Sequence, residues 1–390
     1  MITIEGVKRI VWGKGSIERL PDEIREIGAE KILWIMDKGL SGLQIKERVE
    51  EIFKRERIEY VPYFEITPEP SPQLADRGTE IAKEESVECV IGIGGGSTLD
   101  VAKAVAALVN NPGKATEYIG LNLLKSPGLP SIMIPTTAGT GSEVTFTSVF
   151  TMREEKRKGG INSTYLYPTV AIVDPELTYT LPPFITAYTG MDALTHAIES
   201  FTSKSSHFLS RPISFEAIKL IWENIRYAVE DGSDINAREN MMKGSLMAGL
   251  GLSMAGVGAV HALAYPLGSL FDIPHGIANA VMLPYVLRYN IEHRSEEYQG
   301  LIPLFKRDGG CSVYDIPFFI QKMLRDIGLP SSLKELKVPE EAITDMTDAA
   351  MKVERPMKNN PISLDRVSVE SIYRNAMFEK DSVGGRDARI

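Results

Sequence analysis

The sequence predicts an α/β N-terminal domain with a mainly parallel sheet, followed by an all-α C-terminal domain. Over the first 180 residues, short apolar runs without polar alternation are separated by helical patterns, which is typical of parallel strands buried on both faces. After residues 181–183, Leu-Pro-Pro, the pattern is mostly helical, with no convincing strand. A chain of 390 residues also exceeds the usual size of a single core. We therefore divide the chain into residues 1–180 and 181–390.

The predicted strands of the first domain are apolar runs that end near Gly, Pro, Thr or Asp. They are KILWIMD (31–37), EYVPYF (59–64), ECVIGIGG (88–95), SIMIPTT (131–137) and TVAIVD (169–174). A helical pattern follows each of the first three runs. The stretch 144–168 is rich in Thr and Tyr, and we expect a hairpin or meander there, inserted before the last strand.

Composition argues against several classes of function. The formal net charge is −9, which leaves no excess of positive charge to bind a nucleic acid backbone. Cys89 and Cys311 are the two cysteines, too few for a disulfide framework, and no signal peptide pattern occurs, so we expect a cytoplasmic protein. Between Lys243 and Asp272 no charged residue occurs. Gly and Pro interrupt that segment, which predicts closely packed buried helices rather than a membrane span.

A glycine turn follows the strand that ends at Ile93, and a helix that Ser97 or Thr98 could cap follows the turn. Glycines let the backbone approach an anion closely, and a helix N-terminus attracts a pyrophosphate. The candidate phosphate-binding residues are Gly94, Gly95, Gly96 and Ser97. Leu99 stands where the ordinary dinucleotide fingerprint has its last glycine, so a tight turn without a ligand is the alternative.

A second polar turn follows the next strand and contains Thr136, Thr137 and Thr140. Two such turns at adjacent strand ends form the crevice where open α/β sheets bind ligands. Asp37 ends an earlier strand, where a carboxylate accepts hydrogen bonds from ribose hydroxyls and repels the 2′-phosphate of NADP. A helix-capping or solvated aspartate is the alternative for Asp37.

Four possible metal ligands lie in the second half of the chain. Asp192 and His196 are four residues apart, so a helix places both on one face. His261 lies in the uncharged segment, and His275 follows fourteen residues later. One carboxylate and three imidazoles suit Fe(II) or Zn(II), and ligand type alone does not separate these metals. For each histidine, a hydrogen-bonded core residue is the alternative, and the two remaining histidines are expected at the surface.

Four motifs together resemble those of the iron-containing alcohol dehydrogenase family, and the resemblance spans residues 5 to 380. The motifs are GGGSTLDVAK (94–103), PTTAGTGSEVT (135–145), TGMDALTHAIES (189–200) and HALAYPLGSLFDIPHGIANAVMLPYVLRYN (261–290). The resemblance implies a dehydroquinate synthase-like fold, in which a Rossmann-like α/β domain and a helical domain enclose the site. It also implies hydride transfer between NAD(H) and a small alcohol or aldehyde, with Fe²⁺ or Zn²⁺ bound, in a homodimer or larger homo-oligomer.

The family's site residues can be carried over position by position. Its metal ligands fall on Asp192, His196, His261 and His275. Its cofactor-binding residues fall on Asp37 (which implies NAD over NADP), Gly94, Gly95, Gly96, Ser97, Thr136, Thr137, Thr140 and Lys158. The positions near the reacting carbon fall on Val144, Thr147 and Leu252.

One position departs from the family pattern. Tyr265 stands where many members carry a further histidine with a proton-relay role. Its hydroxyl could donate a proton, or solvent could serve, so we assign no general base. The apolar Leu252 suits short, mostly uncharged alcohols. The alternatives are a glycerol or polyol dehydrogenase, a hydroxy-acid dehydrogenase, an NAD-binding lyase of the dehydroquinate synthase type, and a non-catalytic nucleotide or metal sensor.

Overall fold

The computed structural model of this chain describes residues 2–39, 44–306, 309 and 312–378. The first region is α/β. Its strands are β1 Arg9–Trp12, β2 Lys31–Asp37, β3 Glu59–Ile66, β4 Cys89–Gly94, β5 Gly120–Leu121, β6 Ser131–Pro135, β7 Thr147–Met152, β8 Arg157–Asn162 and β9 Val170–Val173. Its helices are α1 Leu20–Ile27, α2 Gln44–Glu56, α3 Pro72–Glu84 and α4 Gly96–Leu108. Cys89 is a buried free thiol, and Cys311 lies outside the described residues.

Six strands form one sheet in the order β1-β9-β6-β4-β2-β3, and every neighbouring pair is parallel. The predicted parallel sheet is therefore confirmed, and apolar clusters cover both of its faces. In the register of β4 with β6, Gly94 lies opposite Pro135. The turns that follow these two strands consequently start side by side at the carboxyl edge of the sheet, as the sequence predicts.

A second, smaller sheet has the order β5-β8-β7. Strands β7 and β8 form an antiparallel hairpin that pairs Thr147 with Asn162 and Thr151 with Lys158. The hairpin expected within 144–168 is thus present. Strand β1 was not predicted from the sequence: it has only four residues, and as an edge strand it is half-buried and pairs with β9 alone.

Helix α4 begins at Gly96, earlier than a cap at Ser97 or Thr98 would place its start. Its N-cap is Gly95, no side chain caps it, and Gly96 is already helical. The expectation that Ser97 or Thr98 caps the helix was wrong, because both residues lie inside its first turn. The Thr98 N–H donates to the Gly95 carbonyl at 3.0 Å. The N–H groups of Gly96 and Ser97, the first two residues of the helix, have no intrahelical acceptor and can serve a ligand.

The second region is helical, and no strand follows β9 within the part of the chain that the structure describes. Its helices are α5 Pro183–Thr202, α6 Ser210–Glu230, α7 Ile235–Ala255, α8 Ala259–Phe271, α9 His275–Arg294, α10 Ile302–Phe305, α11 Ile316–Asp326, α12 Ile343–Met351, α13 Glu354–Asn359 and α14 Arg366–Met377. Most of the buried apolar residues of this region form one cluster. The helices start at Pro183, and the division at residues 180 and 181 stays a prediction.

The uncharged segment forms parts of α7 and α8. Among the described residues no single helix is long and apolar enough to cross a membrane. Helices α7 and α8 reach that length and apolarity only when taken together, and the chain bends by 106° between them. Small residues bring α7 against the second polar turn, since a Cβ placed on Gly249 would lie 2.7 Å from the Cα of Gly141. This close contact places the helical region directly over the sheet edge.

Candidate active site

A cavity of about 2020 Å³ lies between the carboxyl edge of the large sheet and the helices of the second region. Its volume exceeds the roughly 300–1,000 Å³ of a typical small-molecule site, so it has room for a dinucleotide and a small substrate. The predicted cofactor residues that line it are Asp37, Gly95, Gly96, Ser97, Thr136, Thr137, Thr140 and Lys158. Gly94 is not part of this lining; it lies beneath the turn, where its carbonyl accepts a hydrogen bond from the Thr136 N–H at 3.0 Å.

The two turns touch each other where they face the cavity. A Cβ placed on Gly96 would lie 2.5 Å from the Cγ2 of Thr140, closer than side chains pack. A Cβ on Gly94 would lie 2.6 Å from the Oγ1 of Thr98. Glycine is therefore required by the close approach of the chain at these two positions rather than by a left-handed backbone.

Sequence reasoning missed a polar network that ties α4 to the segment after the second turn. The ammonium of Lys103, 1% exposed, donates to the Ser142 carbonyl at 3.0 Å and to the Thr145 hydroxyl at 3.1 Å. Asp100 accepts from the Ser142 hydroxyl at 2.6 Å and from the Val149 N–H at 2.9 Å. The sequence did contain a sign of this network, because Asp100 and Lys103 are charged residues in a helix otherwise rich in Ala, Val and Leu.

The possible metal ligands converge at the helical wall of the cavity. Asp192 on α5, His261 on α8 and His275 at the start of α9 bring one ligand atom each within 4.8 Å of one another. Asp192 and His261 are 3% and 2% exposed. Burial lowers the pKa of His275 well below its ordinary value, so its imidazole is neutral, which is the form that binds a metal.

His196 lies beside these three residues, but it is not among the ligand atoms that lie within 4.8 Å of one another. Its ring stacks on that of His261, with centroids 4.7 Å apart and planes inclined by 25°. It lines the same cavity and is 5% exposed. Burial lowers the pKa of His196 as well, and its Nδ1 atom is buried without a hydrogen-bond partner.

A second residue that sequence reasoning missed, Asn279, holds the three ligand atoms together. Its side-chain nitrogen lies 2.7 Å from Asp192 Oδ1 and 3.1 Å from the Nε2 atoms of both His261 and His275. Asn279 follows His275 by four residues on α9, so both project from the same helix face. That spacing was a usable signal in the sequence.

A third missed residue, Glu199, supports His261 from behind. Its carboxylate lies 2.5 Å from His261 Nδ1 and also accepts a hydrogen bond from the Val260 N–H at 2.7 Å. Both side chains are at least 95% buried. A carboxylate in this position fixes the imidazole tautomer that leaves Nε2 free to coordinate a metal.

The residues expected near the reacting carbon do not all face the cavity. Thr147 and Leu252 line it, and the Thr147 hydroxyl donates to Asn162 at 2.9 Å. Val144 does not line it: this side chain is fully buried in the core of the helical region, next to Gly249. The expectation for Val144 is corrected accordingly, because the close contact of α7 with the second turn covers it.

Tyr265, at the position that departs from the family pattern, lies next to the possible ligands. Its ring centroid is 5.6 Å from that of His275 and 6.5 Å from that of His261. Burial raises the pKa of Tyr265 above its ordinary value. Its hydroxyl therefore stays protonated at neutral pH and can donate a hydrogen bond into the cavity.

Comparisons with known proteins agree with this arrangement. The sequence profile of iron-containing alcohol dehydrogenases matches residues 7–175, and that of the C-terminal part of the Fe-containing alcohol dehydrogenase family matches residues 186–377. Long-chain-alcohol dehydrogenase 1 of Geobacillus thermodenitrificans is 38% identical, with 95% of this chain and 97% of the relative covered.

Solved structures show the same similarity. A 1,3-propanediol oxidoreductase superposes with a TM-score of 0.91 at 33% identity, covering 97% of this chain and all of the other. The sulfoacetaldehyde reductase of Bifidobacterium kashiwanohense, solved in complex with NAD⁺, gives 0.87 at 30% identity, covering 96% and 98%. Matches to both halves of the chain, together with the fold, show that it belongs to the iron-containing alcohol dehydrogenase family and is an oxidoreductase of the alcohol dehydrogenase type.

Proposed function

We propose that this protein transfers a hydride between NAD(H) and a small, uncharged alcohol or aldehyde at a divalent metal. One observation carries the proposal: ligand atoms of Asp192, His261 and His275 converge within 4.8 Å of one another, on the wall of a cavity that the glycine turn also lines. The cavity can therefore hold a divalent metal ion and a dinucleotide next to each other. Membership of the iron-containing alcohol dehydrogenase family supports the presence of both the metal ion and the dinucleotide.

The donor set fits the metal. One carboxylate and neutral imidazoles are ligands of Fe²⁺ and Zn²⁺, and we propose Fe²⁺ with Zn²⁺ as the alternative. Asp192, His261 and His275 would hold the ion, and we propose His196, which lines the same cavity beside them, as the fourth ligand. When bound, such an ion acts as a Lewis acid toward an alcohol or carbonyl oxygen, and NAD supplies the hydride acceptor.

The protein's own groups bind and orient these partners. The N–H groups in the first turn of α4 face the cavity at residues 96 and 97 and favour a diphosphate. Asp37 also lines the cavity, and its carboxylate there favours the ribose of NAD over the phosphorylated ribose of NADP. Leu252 adds an apolar wall. Tyr265, protonated and adjacent to His275, donates a hydrogen bond toward the substrate oxygen.

The experiment that tests this function follows NADH absorbance across a panel of short alcohols and aldehydes. The protein is first treated with a chelator and then loaded with Fe²⁺ or Zn²⁺. We expect activity only after metal is restored, and a lower KM for NAD⁺ than for NADP⁺. His261→Ala should lose metal and activity together, whereas His293→Ala, an exposed histidine outside the site, should lose neither. Full activity of the chelated protein, or of His261→Ala without metal, would overturn the proposal.

A further inference from the structure

Lys158 on β8 is a cationic residue near the possible metal ligands, and its charge acts on His275. Its side chain is only 3% exposed, although it lines the cavity. It lies against the backbone of α8, since a Cβ placed on Gly268 would lie 2.9 Å from the Lys158 Cε. Its positive charge is one of the causes that lower the pKa of His275, after burial. An unpaired ammonium here would attract anions to the place where we expect the substrate.

Glu69 pairs with that ammonium. Its carboxylate contacts Lys158 Nζ and accepts a hydrogen bond from the Thr151 hydroxyl at 3.1 Å. Its other oxygen lies 3.3 Å from the N–H of His275, at the N-terminus of α9, where a negative charge is favoured. The backbone of Glu69 is left-handed, with φ of 54°. A non-glycine residue in that conformation is uncommon, and here it aims the carboxylate into the cavity.

Two other cations that line the cavity, Arg153 and Arg355, are placed differently. Arg153 pairs with Asp272 at 2.7 Å, and both side chains are more than half exposed. Arg355 bonds to the Asn162 side chain at 3.0 Å and lies over the ring of Phe146. Asn162 is four residues from Lys158 along β8, about 13 Å in a strand. Of these three cations, Lys158 is the one whose side chain is buried, at 3% exposed.

We infer that Glu69 is a specificity-determining residue that cancels the charge of Lys158 and thereby directs the site toward uncharged substrates. This inference rests on the proposed function. A carboxylate brought next to the pair gains little from Lys158, because Glu69 repels it at nearly the same distance. It still loses its hydration on entering a buried site. The pair therefore disfavours substrates with a carboxylate or sulfonate close to the reacting carbon.

The test removes the charge of Glu69 with little change of shape. Glu69→Gln keeps oxygen and nitrogen atoms near Thr151 and His275 but leaves Lys158 unpaired. The holoenzyme is assayed in the reducing direction with glycolaldehyde and with glyoxylate, two aldehydes of similar size that differ in charge. We expect the ratio of kcat/KM for glyoxylate to that for glycolaldehyde to rise at least about tenfold, equivalent to about 1.4 kcal/mol.

A binding measurement separates this inference from the proposed function. Calorimetry with acetate as probe should show at least about tenfold tighter binding to Glu69→Gln loaded with metal and NAD⁺ than to the loaded wild-type protein. That result stands even if no aldehyde is turned over, in which case only the proposed function fails. If Glu69→Gln does not fold, Glu69→Asn makes the same charge change with a residue that suits the left-handed backbone.

Two further variants control for nonspecific charge effects. Asp272→Asn removes a carboxylate from the same cavity lining, but its partner Arg153 is exposed, so acetate affinity and the substrate ratio should change by less than about twofold. Glu69→Gln combined with Lys158→Gln should return acetate binding to the wild-type level. Unchanged acetate affinity and substrate ratio in Glu69→Gln, or an equal gain in Asp272→Asn, would overturn the inference.

Discussion

The carboxylate of Glu199 lies 2.5 Å from the Nδ1 atom of His261, and both residues are buried. Glu199 is on α5, the helix that also carries Asp192, whereas His261 is on α8. One helix therefore supplies both a possible ligand and the group that orients another. Because the second oxygen of Glu199 accepts the Val260 N–H, the position of the start of α8 is tied to the same carboxylate.

Replacing Glu199 should weaken metal binding more than it destabilises the fold. Glu199→Gln can still accept the Val260 N–H but cannot hold the His261 imidazole with a negative charge. We expect metal affinity, measured by competition with a chromophoric chelator, to fall roughly 10–100-fold. Glu216→Gln, which changes a part-exposed glutamate on the neighbouring α6, is the matched control. Wild-type metal affinity in Glu199→Gln would show that the carboxylate only fills space.

Asn279 should matter most to the metal-free protein. Its amide nitrogen lies within hydrogen-bond distance of Asp192, His261 and His275. The two N–H groups can donate to two of these three buried acceptors at a time, and removing Asn279 takes both donors away. We expect Asn279→Ala to destabilise the chelated protein by about 1–3 kcal/mol. Added metal should then raise the Tm of the variant more than that of the wild-type protein. Thermal unfolding with chelator and with metal checks this, and equal Tm increases in the two proteins would contradict it.

The architecture could be predicted wherever a short stretch of sequence carries its own pattern. Buried parallel strands such as β2 and β4 appear as uninterrupted apolar runs, and Asp192 with His196 shows the spacing of one helix face. Strand β1 was not predictable, because four half-buried residues carry no pattern of their own.

The missed parts of the site depend on contacts between distant segments. Glu69 accepts a hydrogen bond from the N–H of His275, which lies 206 residues further along the chain. Nothing in the proline-rich turn around Glu69 predicts that contact. Val144 was expected at the substrate, but the packing of Gly249 of α7 against Gly141 covers it. Glu199 and Asn279 were predictable in principle, since each shares a helix face with a possible ligand; what the sequence could not show is which groups they contact.

The glycine turn offers a matched pair of variants. In Gly96→Ala the new methyl group would lie 2.5 Å from the Cγ2 of Thr140, a stiff side chain whose hydroxyl also accepts the Ser142 N–H. In Gly95→Ala it would lie 3.6 Å from Thr137, an ordinary contact. We expect Gly96→Ala to lose about 1–3 kcal/mol of stability and to bind NADH more weakly, because the two turns must separate.

Gly95→Ala is the control for this pair. Urea unfolding of the cofactor-free protein should show a clearly smaller loss of stability in Gly95→Ala than in Gly96→Ala. NADH fluorescence titration gives the affinities. Equal stability losses in the two variants would mean that the turns are not in contact at Thr140.

The buried Glu143 predicts how stability depends on pH. This residue follows the second polar turn and is 1% exposed, and burial raises its pKa from 4.5 to about 7. Between these values the folded protein holds a proton that the unfolded chain releases. The contribution of Glu143 is therefore fully present below pH 4.5 and is lost as the pH rises toward 7.

Glu143→Gln keeps the neutral shape at every pH and should remove this dependence. Relative to the wild-type protein, the variant should gain up to about 3 kcal/mol of unfolding free energy between pH 4.5 and 8. Urea unfolding of the chelated proteins at several pH values measures the difference, with Glu216→Gln, a change at a part-exposed glutamate, as control. The gain must grow with pH, because the wild-type carboxylate becomes charged inside the fold while the glutamine does not. A constant difference between the two curves would show that Glu143 is already ionised at pH 5, with the nearby charge of Lys103 outweighing its burial.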